Sequence, residues 1–240
     1  PPFHTAAKER RYIPVLAACA LSAGVWRENW FDHVIVDEAQ DVRPLEWRLL
    51  QRVNAGGTWT IVGDVYQRRW DHSYRDWDSL IAHLGLEDAD PPVSARVIQR
   101  GYRSTRPIMR FANQLLPAEG RRVDSLQDDG PAPTVINATA ATLAERSLTE
   151  ATRLIGSYPM GTVAIIAPAP SMIEEQLRRK GWTRDPNDIT QWVNGEQRLA
   201  CLGSEPSRGL EFDAVVVVEP EDFPTNLGIR GQLYTSLTRA

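Results

Sequence analysis

The sequence predicts an α/β protein whose two units are each built on a mostly parallel sheet. The buried strands are predicted at residues 32–37, 58–63, 162–167 and 214–219. They alternate with segments of helical periodicity, as in doubly wound folds where helices cover a parallel sheet. A Pro-Pro pair within residues 87–94 predicts a linker, so we place the units at residues 1–92 and 93–240.

In the first unit, proline and glycine mark where the helices begin and end. Residues 6–24 are rich in helix formers, but Pro14 interrupts them, so we expect a broken helix that closes at Gly24. Residues 44–53 form an amphipathic helical pattern with proline at its start, where a helix tolerates it. A further helix is expected over residues 79–86.

The second unit continues the alternation of short strands and helices. Ser171 is expected to cap its helix and Gly181 to close it. Further strands are predicted at residues 93–99, 135–137 and 199–203, and helices at residues 105–116, 141–156 and 171–180.

The composition is that of an ordinary globular protein, with 42% hydrophobic residues, 24% charged residues and a net charge of −4. A negative net charge does not favour a dedicated nucleic-acid-binding domain, although the net charge of the whole chain can conceal a local basic groove. No apolar run approaches the roughly 18 residues that span a bilayer, so we expect no membrane contact and a cytoplasmic location. The two cysteines and four histidines show no ligand spacing, which predicts no zinc site.

The segment VIVDEAQD at residues 34–41 places two adjacent acids at the end of an apolar strand. In open α/β sheets, ligands bind beyond the carboxyl ends of the strands. Asp37 would therefore hold Mg²⁺, directly or through water, and Glu38 would activate the water that attacks the γ-phosphate of ATP. An isolated Asp-Glu pair would more simply be a solvated strand end, but the full DEAQD string favours the catalytic interpretation.

The DEAQD string resembles the second motif of the superfamily 1 helicases of the UvrD/Rep type. Four further segments follow in the order of that family's motifs, so the resemblance spans residues 34–240. It implies two RecA-like lobes, the first incomplete, with ATP and Mg²⁺ bound and ATP hydrolysed between the lobes. It also implies that the second lobe lacks the family's large inserted subdomain, because the next strand is expected near residue 199.

The third motif of that family resembles TIVGDVYQ at residues 60–67. By this resemblance, Gln67 senses the γ-phosphate and passes the nucleotide state to the nucleic-acid groove, a role that suits an amide because it both donates and accepts. Trp70, Tyr74 and Trp77 follow where the family places side chains that stack on nucleic-acid bases. The alternative is that these rings are anchors of the core or of a domain interface.

The fourth motif resembles GYRS at residues 101–104. By this resemblance, Tyr102 packs against the adenine of ATP, and Arg103 reaches the γ-phosphate with its planar fork of donors. The family usually has asparagine where Gly101 stands here.

The fifth and sixth motifs resemble SRGLEFD at residues 207–213 and LYTSLTRA at residues 233–240. The resemblance implies that Gly209 allows close backbone approach and that Glu211 binds the ribose hydroxyls or supports the site. It also implies that Arg239 is the arginine finger that stabilises charge during phosphoryl transfer.

The sequence contains no G-x-x-x-x-G-K-[ST] loop, which would supply the backbone amides and the lysine that hold the phosphates. In the resembled family that P-loop (Walker A) precedes the DEAQD motif. The chain has no initiator methionine at Pro1, so we expect a fragment whose P-loop lies upstream. We therefore expect the chain alone to bind ATP weakly and not to hydrolyse it.

Three functions stay open. The first is the C-terminal part of an ATP-dependent DNA helicase or single-strand DNA translocase, with single-stranded DNA as its partner. The second is a HelD-type remodeller of RNA polymerase, because residues 203–205 lack the Thr-x-His that the helicases carry there and the chain is acidic. The third is a non-catalytic, helicase-like scaffold.

Overall fold

The computed structural model describes residues 12–24, 31–68, 73–90, 92–93, 96–98, 100–116, 124–224 and 231–240. The chain divides into two compact units, Pro1–Ala95 and Arg96–Ala240. Helices and strands occur in both units, so the protein is mixed α/β. Its sheets are small, and the largest is mixed rather than parallel throughout. No helix within the described ranges is long and apolar enough to cross a membrane.

The described residues of the first unit form the helices and strands α1 (Ile13–Ala23), β1 (Phe31–Val36), α2 (Pro44–Val53), β2 (Asn54–Ile61) and α3 (Trp77–Leu84). Helix α1 begins at Ile13 and takes Pro14 into its first turn, where no backbone donor is needed. The break expected at this proline would separate α1 from the residues before it and stays a prediction. Gly24 follows α1 in the left-handed conformation, as predicted for its end. The rest of the predicted helix, at residues 6–11, lies outside the described residues.

Strands β1 and β2 run parallel and carry the core of the first unit on one face. Val34 lies opposite Trp59, and Val36 lies opposite Ile61. Helix α2 covers this face with Trp47, which is fully buried with its ring centroid 6.0 Å from that of Trp59. Because the two strands are parallel, the polar residues that follow each of them lie at the same edge of the sheet.

In its described part, the second unit contains four α-helices and seven strands. They are β3 (Arg100–Gly101), α4 (Arg106–Ala112), β4 (Asp124–Ser125), α5 (Leu143–Ser157), β5 (Val163–Ile166), α6 (Ser171–Arg179), β6 (Thr183–Arg184), β7 (Gln191–Asn194), β8 (Gln197–Leu202), and after these β9 (Ala214–Val217) and α7 (Gly231–Leu237). Strands β3 and β4 form a short parallel pair.

The main sheet of the second unit has the order β6-β7-β8-β5-β9. Its centre is parallel, since β5 pairs in parallel with both β8 and β9. All four residues of β5 are buried. Leu148 of α5 and Leu177 of α6 pack on one face, while Leu233 of α7 packs on the other. Helices therefore cover both faces of the parallel centre.

The edge of this sheet departs from the predicted parallel arrangement. Strand β7 pairs antiparallel with both β6 and β8. Asn194 lies opposite Gln197, which leaves a two-residue loop whose first residue, Gly195, has a φ of 60°. Two-residue hairpin loops favour glycine at such positions, so the Asn194-Gly195 dipeptide is a hairpin signal that the sequence interpretation overlooked.

Three local predictions in the second unit are wrong. Residues 135–137 are irregular, and Val135 is 72% exposed, so their β-branched side chains gain none of the burial that stabilises a strand. The described residues of the strand expected at 93–99 are irregular too, and the two-residue β3 comes only after them. Ser171 begins α6 but does not cap it, because the N-cap is Pro170 and no side chain bonds the first turn.

Candidate functional site

The acids predicted to act on ATP lie at the edge where β1 and β2 both end. Asp37 and Glu38 follow β1 directly, and both side chains are exposed. Two backbone bonds extend the strand pairing here, from Val62 N–H to Val36 O at 2.9 Å and from Ala39 N–H to Val62 O at 3.0 Å. The sheet edge therefore presents both carboxylates to solvent, where a charged ligand can reach them.

Glu38 has a left-handed backbone conformation, with φ 51° and ψ 40°. Apart from glycines, only Glu219 shares a positive φ among the residues that the structure describes. This conformation costs a residue with a Cβ atom about 1–2 kcal/mol, and such residues cluster at functional sites. The Glu38 N–H donates to Asp37 Oδ1 at 2.8 Å, so the turn fixes the two acids relative to each other.

A continuous chain of hydrogen bonds joins Glu38 to Gln67. Gln40 Nε2 donates to Glu38 Oε2 at 2.5 Å, and the Asp64 N–H donates to Gln40 Oε1 at 2.9 Å. Gln67 Nε2 in turn donates to Asp64 Oδ2 at 3.1 Å. The sequence interpretation assigned no role to Gln40 or Asp64, although both lie within the strings that it singled out.

Gly63 makes room for this hydrogen-bond chain. A Cβ atom at Gly63 would lie 2.3 Å from Gln40 Oε1 and 3.0 Å from Ala39 N. The first distance is far below any tolerated contact, so a side chain at this position would displace the Gln40 amide. The Gly-Asp pair of the predicted third motif therefore has a physical reason: the glycine admits the amide, and the Asp64 N–H binds it.

Of the three rings predicted to stack on nucleic-acid bases, Trp70 lies outside the described residues. Tyr74 and Trp77 are half-buried and pack against the core of the first unit. The Tyr74 ring centroid lies 5.1 Å from that of His83, and burial raises the pKa of Tyr74. These contacts favour the alternative that Tyr74 and Trp77 anchor the core, whereas base stacking by Trp70 stays a prediction.

In the second unit, the predicted fourth motif forms the loop after β3. The ring of Tyr102 is well exposed, at 67% for the residue, and is accessible to a flat ligand. Arg103 forms an ion pair with Glu211 of the predicted fifth motif. Both side chains are more than half exposed, at 58% and 54%. Such a pair contributes at most about 1 kcal/mol, so a phosphate group can compete with Glu211 for Arg103.

Arg239 of the predicted sixth motif is buried within the second unit, at 8% exposure. Its Nη1 donates to Leu210 O and its Nε to Thr235 O, both at 3.3 Å. Its own carbonyl oxygen accepts the Phe212 N–H at 2.8 Å. The residue predicted to be an arginine finger is therefore held against the fifth-motif segment by hydrogen bonds to the main chain.

The backbones of the second unit's motifs are also joined. Ser104 Oγ donates to Thr238 O at 3.1 Å, and Ser125 Oγ donates to Ser104 O at 2.6 Å. The fourth-motif loop is thus attached to the residue before Arg239. Gly209 has a φ of 73°, which favours glycine. A Cβ atom there would meet nothing within 4 Å, so a close approach by a ligand at Gly209 stays a prediction.

The described residues contain no group of three or more His, Cys, Asp or Glu side chains placed to hold a metal ion. Mg²⁺ on a nucleotide needs only one or two carboxylates, because phosphates and water complete its shell. The exposed carboxylate of Asp37 at the sheet edge fits that requirement.

Comparison with models of known protein families gives no match, and comparison with curated protein sequences gives none either.

Proposed function

We propose that the chain is the C-terminal part of an ATP-dependent DNA helicase or single-strand DNA translocase. The observation that carries the proposal is the hydrogen-bond chain from Glu38 through Gln40 and Asp64 to Gln67. A motor must transmit the state of the γ-phosphate to its grip on nucleic acid, and a bonded path between a catalytic acid and a sensing amide supplies such a link. Two acids that merely lie in solvent at the end of a strand need no such path.

In the first unit, Asp37, Glu38 and Gln67 would each have a separate role. Asp37 would hold Mg²⁺, and Glu38 would activate the attacking water. Gln67 would sense the γ-phosphate with an amide that already bonds Asp64. The bound ATP supplies the phosphoryl group that is transferred to water.

In the second unit, the proposal requires existing contacts to be exchanged. Tyr102 would stack on adenine, and Arg103 would exchange Glu211 for a phosphate oxygen. Glu211 would then be available to the ribose hydroxyls. Arg239 would stabilise the transferring phosphoryl group only after leaving its bonds to Leu210 O and Thr235 O. A rearrangement of the segment after α7 is therefore part of the proposal.

The two units would be RecA-like lobes, the first of them incomplete. Two features support this finer assignment: the β1–α2–β2 crossover joins parallel strands, and helices cover both faces of the β8–β5–β9 centre. A P-loop ahead of this chain would complete the first lobe. Single-stranded DNA would be the substrate along which the motor moves.

A HelD-type, ATP-driven remodeller of RNA polymerase is the second candidate. The resembled helicases contact the DNA strand with a Thr-x-His segment, where this chain has Gly-Ser-Glu at residues 203–205. Ser204 Oγ donates to Gln232 Oε1 at 2.5 Å, and Ser207 Oγ donates to Ser204 O at 2.7 Å, both in the buried interior. Both hydroxyls are bonded inside the unit, which favours a partner other than a DNA strand at this segment. A non-catalytic scaffold is the third candidate.

Substitution of Glu38 tests the proposal in a form of the protein extended upstream through the expected P-loop. Glu38→Gln should reduce ATP turnover by about 10²–10⁴-fold, the usual contribution of a general base. ATP affinity should stay unchanged, because Glu38 acts on the water rather than on the nucleotide. Glu87→Gln, which changes an exposed acid beyond α3, is the matched control and should keep parental turnover. Retained turnover in Glu38→Gln would refute the proposal.

The two partner classes can be separated with the same extended protein. Binding is measured with single-stranded DNA and with RNA polymerase, each as competitor of the other. If the protein is a helicase or translocase, single-stranded DNA stimulates its ATP turnover, and RNA polymerase displaces little of the bound DNA. A remodeller binds the polymerase and shows no DNA-stimulated turnover.

A further inference from the structure

Gln40 is the most buried polar side chain of the first unit's candidate site, at 3% exposure. It lies in a short 3-10 turn, Ala39–Asp41, directly after the predicted catalytic acids. A buried carboxamide must satisfy its donors and acceptors within the protein, because leaving them unpaired is costly. Gln40 does so with two groups on different segments, the Glu38 carboxylate and the Asp64 N–H.

The orientation of the Gln40 amide follows from its partners. The Asp64 backbone N–H can only donate, so the atom that it meets must be the oxygen, Oε1. The nitrogen, Nε2, must then face Glu38, whose ionised carboxylate can only accept. A flipped amide would place two donors together on one side and two acceptors on the other. The main chain at Asp64 therefore fixes the donor that Gln40 presents to Glu38.

The carboxylate of Glu38 has few other means of staying in one orientation. Its side chain is exposed, and its backbone is in the strained left-handed conformation. An exposed glutamate side chain can adopt several rotamers, whereas a general base must be held within a fraction of an ångström of its working geometry. The bond from Gln40 is the contact that restricts it.

We propose that Gln40 is a positioning residue, which orients Glu38 for activation of the attacking water and ties that orientation to the Asp64–Gln67 segment. The inference rests on the proposed ATP-hydrolysing function. If Asp64 moves, its N–H pulls on Gln40 Oε1. The Gln40 amide then shifts as a whole, so Nε2 changes its position relative to the Glu38 carboxylate. Gln67, bonded to Asp64, is thereby coupled to the orientation of the base.

Two substitutions in the P-loop-extended protein test this role. Gln40→Met keeps the length of the side chain but removes both bonds. It should lower kcat about 10–100-fold, as a displaced catalytic group does, while the KM for ATP and the binding of a non-hydrolysable ATP analogue change by less than about twofold. Gln51→Met is the matched control, because Gln51 also donates from a part-buried amide to a backbone carbonyl, that of Leu84, and lies outside the site. It should keep parental kcat.

Gln40→Glu gives a readout that a merely structural residue would not produce. The new carboxylate can still accept the Asp64 N–H, but it cannot donate to Glu38 and brings a like charge against it. Where both carboxylates are ionised, Gln40→Glu should therefore lower kcat at least as far as Gln40→Met, while the KM for ATP changes by less than about twofold.

The outcomes separate the inference from the function on which it rests. Inactive Glu38→Gln, with low kcat and a parental KM for ATP in both Gln40→Met and Gln40→Glu, supports both. Inactive Glu38→Gln with parental kcat in Gln40→Met overturns the role of Gln40 alone. A loss of ATP affinity and of melting temperature in Gln40→Met that matches the loss of kcat also overturns it, because it indicates a structural role. Active Glu38→Gln overturns the proposed function itself.

Discussion

Replacing Gly63 by alanine should break the hydrogen-bond chain at its buried link. The added methyl group would lie 2.3 Å from Gln40 Oε1, 3.0 Å from Ala39 N and 3.3 Å from Trp77 Cη2. The first contact is too close to be kept, so the Gln40 amide must move. Since Gln40 is 3% exposed, the displaced amide has little water nearby to replace its partners.

The size of the effect follows from the bonds that are lost. The neutral bond from Asp64 N–H is worth about 1 kcal/mol, and the bond to the Glu38 carboxylate is worth about 1.5 kcal/mol, the low end for a charged partner, because Glu38 is exposed. Alanine also restricts the unfolded chain, which returns about 0.4–1 kcal/mol. Gly63→Ala should therefore lower the free energy of unfolding by about 1.5–2 kcal/mol.

Urea unfolding of the full chain measures this difference, with an unchanged dependence on urea as the sign that the unfolded state is unaltered. The matched background is Gln40→Ala, in which the clashing oxygen is gone. In that background the same Gly63→Ala change should cost less than half as much, with the contact to Ala39 N remaining. An equal cost in both backgrounds, or no cost in the parent, would refute the described packing of Gln40.

Three further predictions test other parts of the structure. Gly156 lies within α5, and a Cβ atom there would meet nothing within 4 Å, so Gly156→Ala should raise the free energy of unfolding by about 0.5–1 kcal/mol in urea titrations. Burial raises the pKa of the Cys201 thiol to about 12, whereas Cys19 is exposed. A thiol reagent near neutral pH should therefore modify Cys19 quickly and Cys201 only after unfolding. Burial lowers the pKa of His83 below its ordinary 6.5, so the neutral ring favours the folded state. His83 therefore contributes its full share to the free energy of unfolding above about pH 6.5, and this share is lost as the pH falls through the lowered pKa of the folded state. In urea unfolding measured at several pH values, His83→Gln should make this decline less steep.

The sequence predicts best where one physical cause decides the structure. The apolar run before Asp37 forms a strand that delivers the acids to the sheet edge, as predicted. The expectation that this strand and its partner are buried is wrong: only one face is covered, so Val36 is buried while Ile35 is 70% exposed. Helix α2 begins and ends as expected, because Pro44 and the residues after Val53 limit it locally.

The failures occur where tertiary context decides. Val135 has the β-branched composition of a strand, but no neighbouring surface buries it. Strands β6 and β7 have only two and four residues, too few to show a clear strand pattern. The sequence therefore predicts neither of them, and their antiparallel pairing makes the sheet mixed.

The sequence names candidate site residues but not the contacts between them. The motif strings named Glu38 and Gln67 but could not show that Gln40 joins them, since a hydrogen bond between two strand ends is set by the strand register. The pairing of Arg103 with Glu211 and the burial of Arg239 have the same origin, because they depend on how distant segments fold together.

The most direct test of the account is ATP hydrolysis by this 240-residue chain beside a form extended upstream through the expected P-loop. Turnover is expected from the extended form alone, since under the proposed function the acids and arginines described above would need the phosphate-binding loop to hold the nucleotide. Hydrolysis by neither form would contradict the proposed ATPase and leave a scaffold as the leading candidate. Hydrolysis by the short chain, abolished by Glu38→Gln, would contradict the claim that its nucleotide site is incomplete.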